Sequence, residues 1–389
     1  MKSILLVTIE YPPQLGGIAT YLAHMAENLP HGDICVLAPE GPDTHRYDME
    51  AGVPIYRRGL LWRYMRPRWL PAFYWTWWLC RRERPSMLVV SHLLNMGKVA
   101  IGIKRFLRIP YTVILHGFDV AQAASVGGRR RAAAKEILAN AALVICNSGY
   151  TAFLAKTLGI PETRIATVNP PPWLPLDESA DMSEVAAFRK KHGLEGKFVL
   201  LTVSRLVERK GIDTCIDAVA ALRAAGRDVK YVVVGEGLHK GHLKHRAAQM
   251  NVADDVIFLG ALDTESLPVA YAACDVFVMV PRGLKSGDIE GFGIVYLEAN
   301  IFGKPVIGSR TGGVPEAVIH EKTGLLIEPD SPSQLAEAVA ALMDNSTLRQ
   351  DLGEGGRQRL KRDYGDNRQA RRFLAAVKRA TGESKTYAK

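Results

Sequence analysis

Glu290-Gly291-Phe292-Gly293-Ile294-Val295-Tyr296-Leu297-Glu298 is the stretch on which the reading of this sequence turns. An apolar run at 276–280 precedes it across a polar, glycine-containing loop. From Gly293 to Phe302 the apolar spacing is helical, and Gly303 and Pro305 supply a stop. Strand, glycine loop and helix together form the unit of a parallel sheet with crossover helices. Glycines before a helix let a ligand approach the backbone, and the free N–H groups of the first turn face it with the positive end of the helix dipole. A diphosphate suits that place. Glu298 lies about five residues into the helix, roughly 7–8 Å along its axis. That is about the distance from a bound phosphate to a ribose. Glu290, before the helix, falls on the sugar side of the phosphates.

Outward from this stretch the same unit recurs. Strands are predicted at 3–8, 34–38, 87–91, 111–116 and 143–147, then at 198–204, 230–235, 256–260, 276–280 and 305–309, with helical patterns between them. After the strand at 198–204 comes Arg205-Leu-Val-Glu-Arg-Lys210-Gly211. Arg205 leaves a strand's carboxyl end, where open α/β sheets bind ligands, and offers a forked donor to phosphate; Lys210 offers a point charge. In the N-terminal half, Tyr11-Pro-Pro-Gln-Leu-Gly16-Gly17 joins the first strand to the first helix, and Leu115-His116-Gly117-Phe118-Asp119 ends another strand. Two readings fit His116 at a strand's carboxyl end: a polar contact to a reacting sugar, or a satisfied core histidine.

Three prolines, Pro170-Pro171-Pro172, fit neither a helix nor a central strand. They divide 389 residues into domains at 1–172 and 173–366, with a segment at 367–389 after them. Residues 1–172 hold 20 Lys and Arg against 11 Asp and Glu, and the remainder 30 against 29, so almost all of the net charge of +10 belongs to the first domain. An acidic partner for that domain is expected. No apolar run reaches the roughly 20 residues that a membrane span needs. The apolar start reads as a buried strand rather than a signal peptide. Five scattered cysteines with no close pair read as buried thiols in a reducing compartment, the cytoplasm.

Taken together, these residues resemble the family-4 retaining glycosyltransferases, and the resemblance runs over most of the chain. It is strongest from 199 to 329, including Val234-Gly-Glu-Gly237, Thr311-Gly-Gly-Val-Pro-Glu316 and Thr323-Gly-Leu-Leu-Ile-Glu-Pro-Asp330. It implies two Rossmann-like domains facing across a cleft, the GT-B architecture, with the last segment crossing back to the first domain. The family's E-x7-E motif falls on Glu290 and Glu298, its cationic pair on Arg205 and Lys210, its Gly-Gly loop on Gly16 and Gly17, and its donor-sugar histidine on His116. By this resemblance Arg205 and Lys210 neutralise the donor diphosphate. Glu290, with the backbone at Phe292 and Gly293, holds the sugar; Ile294 and Val295 meet phosphate; Glu298 binds ribose. Val256 and Phe258 border the base, Gly16 and Gly17 approach phosphate and acceptor, and His116 touches the sugar. No metal and no further cofactor are implied. The donor favoured is GDP-mannose, with a UDP-sugar as the alternative.

Residues 56–85 hold five of the six tryptophans, Trp62, Trp69, Trp75, Trp77 and Trp78, among arginines that include Arg63, Arg66 and Arg68. Two readings fit: a helix lying in an anionic membrane surface, or a helix covering the first domain with its arginines in water. On the first, Trp62, Arg66, Arg68 and Trp69 meet a lipid-linked acceptor and the protein is peripheral on the inner face of the cytoplasmic membrane; a glycan acceptor is the other possibility. The competing classes are a nucleotide-sugar epimerase or phosphorylase of the same architecture, and a basic nucleic-acid-binding protein. The sequence has no acidic catalytic pair or cofactor lysine for the former. The latter rests only on the basic charge, and no nucleic-acid partner is expected.

Overall fold

Runs such as Ile-Leu-Leu-Val and Met-Leu-Val-Val-Ser are apolar on both faces, which a sheet tolerates only when helices cover both sides. The computed structural model describes residues 4–382, apart from 15, 63, 65, 126 and 127. Of the positions read from sequence, Ser3, Leu15, Arg63 and residues 383–389 lie outside the described residues.

The chain divides into two compact units, residues 4–171 with 366–382, and Pro172–Gly365. Among the described residues the first contains β1 (Ile4–Val7), β2 (Ile34–Ala38), β3 (Ile55–Arg57), β4 (Met87–Ser91), β5 (Tyr111–Leu115), β6 (Leu143–Cys146) and β7 (Ile165–Thr167). They lie in the spatial order β3-β2-β1-β4-β5-β6-β7, all parallel. The helix Arg368–Thr381 belongs to this unit. Its Ala370, Phe373, Ala376 and Val377, spaced to make one helical stripe, are buried in the same cluster as Ile4, Leu6 and Tyr21.

The second unit contains β8 (Phe198–Val203), β9 (Val229–Val234), β10 (Val256–Gly260), β11 (Val276–Val278), β12 (Val306–Ser309) and β13 (Gly324–Ile327). The order is β10-β9-β8-β11-β12-β13, again parallel. β3, β7 and β13 escape the sequence reading. Each is an edge strand of three or four residues, and β3 and β7 are too exposed to leave an apolar run.

In each sheet the strand order doubles back once, between β1 and β4 in the first and between β8 and β11 in the second. Loops leaving the carboxyl ends on either side of such a point run in opposite directions and open a crevice, where α/β sheets bind ligands. The segments after β1 and β4 begin with Thr8-Ile-Glu10 and His92; those after β8 and β11 carry Arg205 to Lys210 and Glu290.

The helix Leu70–Glu83 buries Ala72, Thr76, Leu79 and Cys80, and Trp69, Trp75, Trp77 and Trp78 pack partly against the same core. Arg58 stacks over Trp75, Arg81 over Trp77 and Arg82 over Trp78. The helix therefore does cover its sheet. All five cysteines are free and buried.

Candidate functional site

The crevice of the second unit is built on a buried knot of charge. The turn after β8 brings Arg209 and Lys210 inward, and each is 9% exposed. The loop after β11 brings Glu290, 8% exposed, to meet them. Glu290 Oε2 accepts from Lys210 Nζ at 2.6 Å and from Arg209 Nη1 at 2.5 Å, while Arg209 Nε lies 3.1 Å from Asp288 Oδ1. Burial alone would raise the Glu290 carboxyl, but Lys210 and Arg209 outweigh it and hold the group at about 2. Burial pushes the Lys210 ammonium down against the pull of Glu290, and the charges of Arg209 and Arg205 add to that push.

Two cations face two carboxylates in this knot, so it is balanced within itself. Arg205 is the surplus. It is exposed, its charge reaches Lys210, and among the described residues its side chain has no hydrogen-bond or ion-pair partner.

Beside the knot begins the helix Ile294–Ile301. Its first turn carries no acidic residue and no side-chain cap, so its N–H groups are open to an anion. Gly293 enters it at φ 96°, and a Cβ there would lie 2.5 Å from the Tyr296 ring, so only glycine fits. Phe292 is buried beneath, and Ile294 and Val295 are half-buried at the helix start. Glu298, one turn on, is buried; Tyr271 Oη donates to it at 2.7 Å and the Trp173 backbone N–H also donates, while burial raises its carboxyl. The Thr311-Gly-Gly-Val-Pro-Glu316 stretch proves to be a brace. Gly313 N–H donates to the Glu290 carbonyl at 3.0 Å, and a Cβ on Gly312, at φ 54°, would come within 2.2 Å of that oxygen. Val256 and Phe258 lie on β10, at the opposite edge of the sheet from β13, Val256 buried and Phe258 half-buried. The structure thus brings Arg205, Lys210, Glu290 and the helix start together. Lys210, expected on a diphosphate, has its ammonium on Glu290.

In the first unit the Gly16–Gly17 loop is exposed and opens the helix Gly17–Glu27, whose first turn is likewise free of acids and side-chain caps. Its base is anchored by buried Arg57, which donates to Pro12 O at 2.6 Å, pairs with Asp48 and sits over the Tyr11 ring. His116 follows β5. Its backbone N–H donates to Asp119 Oδ1, its carbonyl accepts from Asn147, and its ring stands edge-on to Tyr21. Burial first, and the nearby His92 ring second, lower His116 to about 3, so it is neutral.

Sequence reasoning missed Arg209 and the His92 beside this histidine. Arg209 hides in a run of charges whose partners lie 79 and 81 residues away. His92 stands out only once β1 and β4 are known to be neighbours.

The aromatic stretch has an open side. Trp62, Tyr64 and Tyr74 are 61%, 90% and 55% exposed, and Arg66 and Arg68 are exposed beside them, while Trp69 is half-buried. A cavity of about 690 Å³ is walled by Trp62, Leu70, Phe73, Tyr74, Trp75 and Trp77. Among the described residues no helix is long and apolar enough to cross a membrane.

Residues 184–359 match the family model described as glycosyl transferases group 1, and residues 16–171 that of the glycosyl transferase 4-like domain. A GDP-mannose-dependent alpha-(1-6)-phosphatidylinositol monomannoside mannosyltransferase of Mycolicibacterium smegmatis is 31% identical over 371 residues, covering 91% of this chain and 92% of the relative. Sucrose-phosphate synthase from Thermosynechococcus elongatus superposes with a TM-score of 0.81 at 21% identity, covering 99% of this chain and all of that one. HepE of Anabaena, solved with UDP, gives 0.79 at 20% identity, covering 96% and 98%. The likeness to these two structures is one of fold, the pair of parallel-sheet domains of the GT-B architecture.

Proposed function

Because the chain belongs to the group 1, family-4 glycosyltransferases and is itself a glycosyltransferase, we propose that it moves mannose, with retention, from GDP-mannose to a hydroxyl of a lipid-linked glycan. The observation that carries this reading is the knot at Glu290, set beside an uncapped helix start with the unpartnered cation Arg205 at its edge.

In this reading Lys210 and Arg209 fix the Glu290 carboxylate where it accepts from hydroxyls of the donor sugar. The N–H groups at Ile294 and Val295, with Arg205 and Lys210, take the diphosphate, and Glu298 takes the ribose. As the glycosidic C–O bond breaks, negative charge collects on the departing diphosphate, where fixed donors stabilise it without reorganising. The acceptor hydroxyl adds from the same face and its proton goes to the diphosphate. Asp288 and Glu290 already face cations, so their chemistry favours transfer without a metal. In the first unit, His116 contacts the transferred sugar, and Gly16 and Gly17 contribute backbone N–H groups to phosphate and acceptor.

Mannose and GDP are favoured by the name of the Mycolicibacterium relative. The lipid-linked acceptor, and a peripheral position on the inner face of the cytoplasmic membrane, are supported by the exposed Trp62 and Tyr74 that wall the apolar cavity and by the exposed Arg66 and Arg68 of the same stretch. Incubating the protein with labelled GDP-mannose, or with UDP- and ADP-sugars, and vesicles containing a mannosylated phosphatidylinositol tests each part. The expected product is an α-mannoside formed only from GDP-mannose and unaffected by chelator. Transfer from a UDP-sugar alone would replace the donor, and a β-linked product would overturn retention.

A further inference from the structure

Glu10, Ser91 and His92 have no role in the proposal above, yet they form one hydrogen-bonded chain that ends on His116. Glu10 Oε1 lies 3.0 Å from His92 Nε2, His92 Nδ1 lies 3.2 Å from Ser91 Oγ, and Ser91 Oγ lies 2.8 Å from His116 Nε2. Three neighbouring strands deliver them. Glu10 follows β1, Ser91 ends β4 with His92 next, and His116 follows β5, so the chain spans the point where the strand order doubles back. Ser91 is fully buried, and His92 holds a φ of 73°, a left-handed conformation that a residue with a side chain keeps only when its surroundings fix it.

The directions of these bonds follow from one end. A carboxylate only accepts, so Glu10 receives the Nε2 proton of His92. Where His92 is neutral, as at the alkaline pH of the measurement below, its Nδ1 is bare and accepts the single hydroxyl proton of Ser91. The Ser91 oxygen is left to accept from His116, which must carry its proton on Nε2. His116 Nδ1 becomes a bare acceptor, and among the described residues it has no hydrogen-bond partner.

We propose that Glu10, His92 and Ser91 are positioning residues that hold His116 in its Nε2-protonated tautomer, so that Nδ1 takes a hydrogen bond from a hydroxyl of the transferred sugar. The ligand in this statement rests on the proposed contact of His116 with the sugar; the tautomer does not. A second feature agrees: burial keeps His116 neutral, so the ring has a lone pair to offer.

Nitrogen-15 NMR of the full chain labelled at histidine, recorded at about pH 9 where imidazoles are neutral, reads the tautomer directly. The wild type is expected to show His116 unprotonated at Nδ1. Glu10→Gln, whose amide can donate or accept, should give both tautomers. Glu10→Lys, whose ammonium only donates, should reverse every bond and put the proton on Nδ1. Unchanged signals from the histidines other than His92 and His116 report that the variants fold. In transfer assays Glu10→Lys should lower kcat about tenfold, as for one lost hydrogen bond, with a smaller change in donor KM. A wild-type His116 protonated on Nδ1, or a Glu10→Lys protein with the wild-type tautomer, overturns the chain. Full transfer by His116→Ala overturns the sugar contact instead and leaves the tautomer result standing.

Discussion

The two crevices are made from opposite materials. In the first unit the sheet delivers a string of hydrogen bonds ending on a neutral histidine. In the second it delivers a buried knot of two cations and two carboxylates, with a further cation at the rim. The same strand order therefore does not dictate the chemistry; the first few residues after each strand do. A neutral acceptor suits uncharged hydroxyls, and a preorganised field suits a phosphate leaving group. The knot also holds itself together through ion pairing in a low-dielectric place, so it should be fragile to the loss of any one member, whereas the hydrogen-bonded string should lose function before it loses stability.

The sharpest break in that comparison is Glu290→Ala. It leaves buried Lys210 without a carboxylate and Arg209 with Asp288 alone, which should cost about 3–5 kcal/mol in urea unfolding, and sugar transfer should fall roughly a thousandfold. A variant as stable as the wild type would mean that the knot is not buried in solution. Arg205→Ala should separate function from stability. Its side chain is exposed and unpartnered among the described residues, so unfolding should move by less than about 0.5 kcal/mol while transfer falls by about tenfold to a hundredfold.

Acid sharpens the contrast. An unfolded histidine binds a proton near 6.5, but burial holds His116 to about 3 and His24 to about 4. The unfolded chain thus takes protons that the folded chain refuses, and stability falls as pH drops below 6.5. Glu290 acts lower down: held at about 2 against an ordinary 4.5, it contributes fully above 4.5 and that contribution is lost as pH falls towards 2. Urea unfolding across pH should therefore show His116→Asn flattening the slope between 6.5 and 4, and Glu290→Gln flattening it only below 4.5. The smallest effect belongs to the aromatic face. Arg66→Ala should weaken binding to anionic vesicles by about fivefold, roughly 1 kcal/mol, and leave binding to neutral vesicles unchanged.

Ten of the strands could be read from sequence because a parallel sheet buried on both faces writes continuous apolar runs. The helix after Gly293 could be read because glycines at its start and Gly303 and Pro305 at its end mark it twice. The partners of Lys210 could not. Lys210 and Glu290 are separated by 80 residues and three intervening strands, and only the position of β11 beside β8 explains why they meet. The same holds for Glu10 and His92, brought together because β1 pairs with β4. Gly312 was legible as part of a motif, but its reason, the close approach of the Glu290 carbonyl, is a fact of packing.

Calorimetric titration of GDP and GMP into the wild type and Arg205→Ala, with UDP and UMP in parallel, tests most directly whether the helix start and its cations hold a diphosphate. The account predicts that for the donor's own base the diphosphate binds at least about tenfold more tightly than the monophosphate, a difference of roughly 1.4 kcal/mol, and that Arg205→Ala removes most of that gap. Equal affinity for the two, or a gap that Arg205→Ala leaves intact, would contradict it.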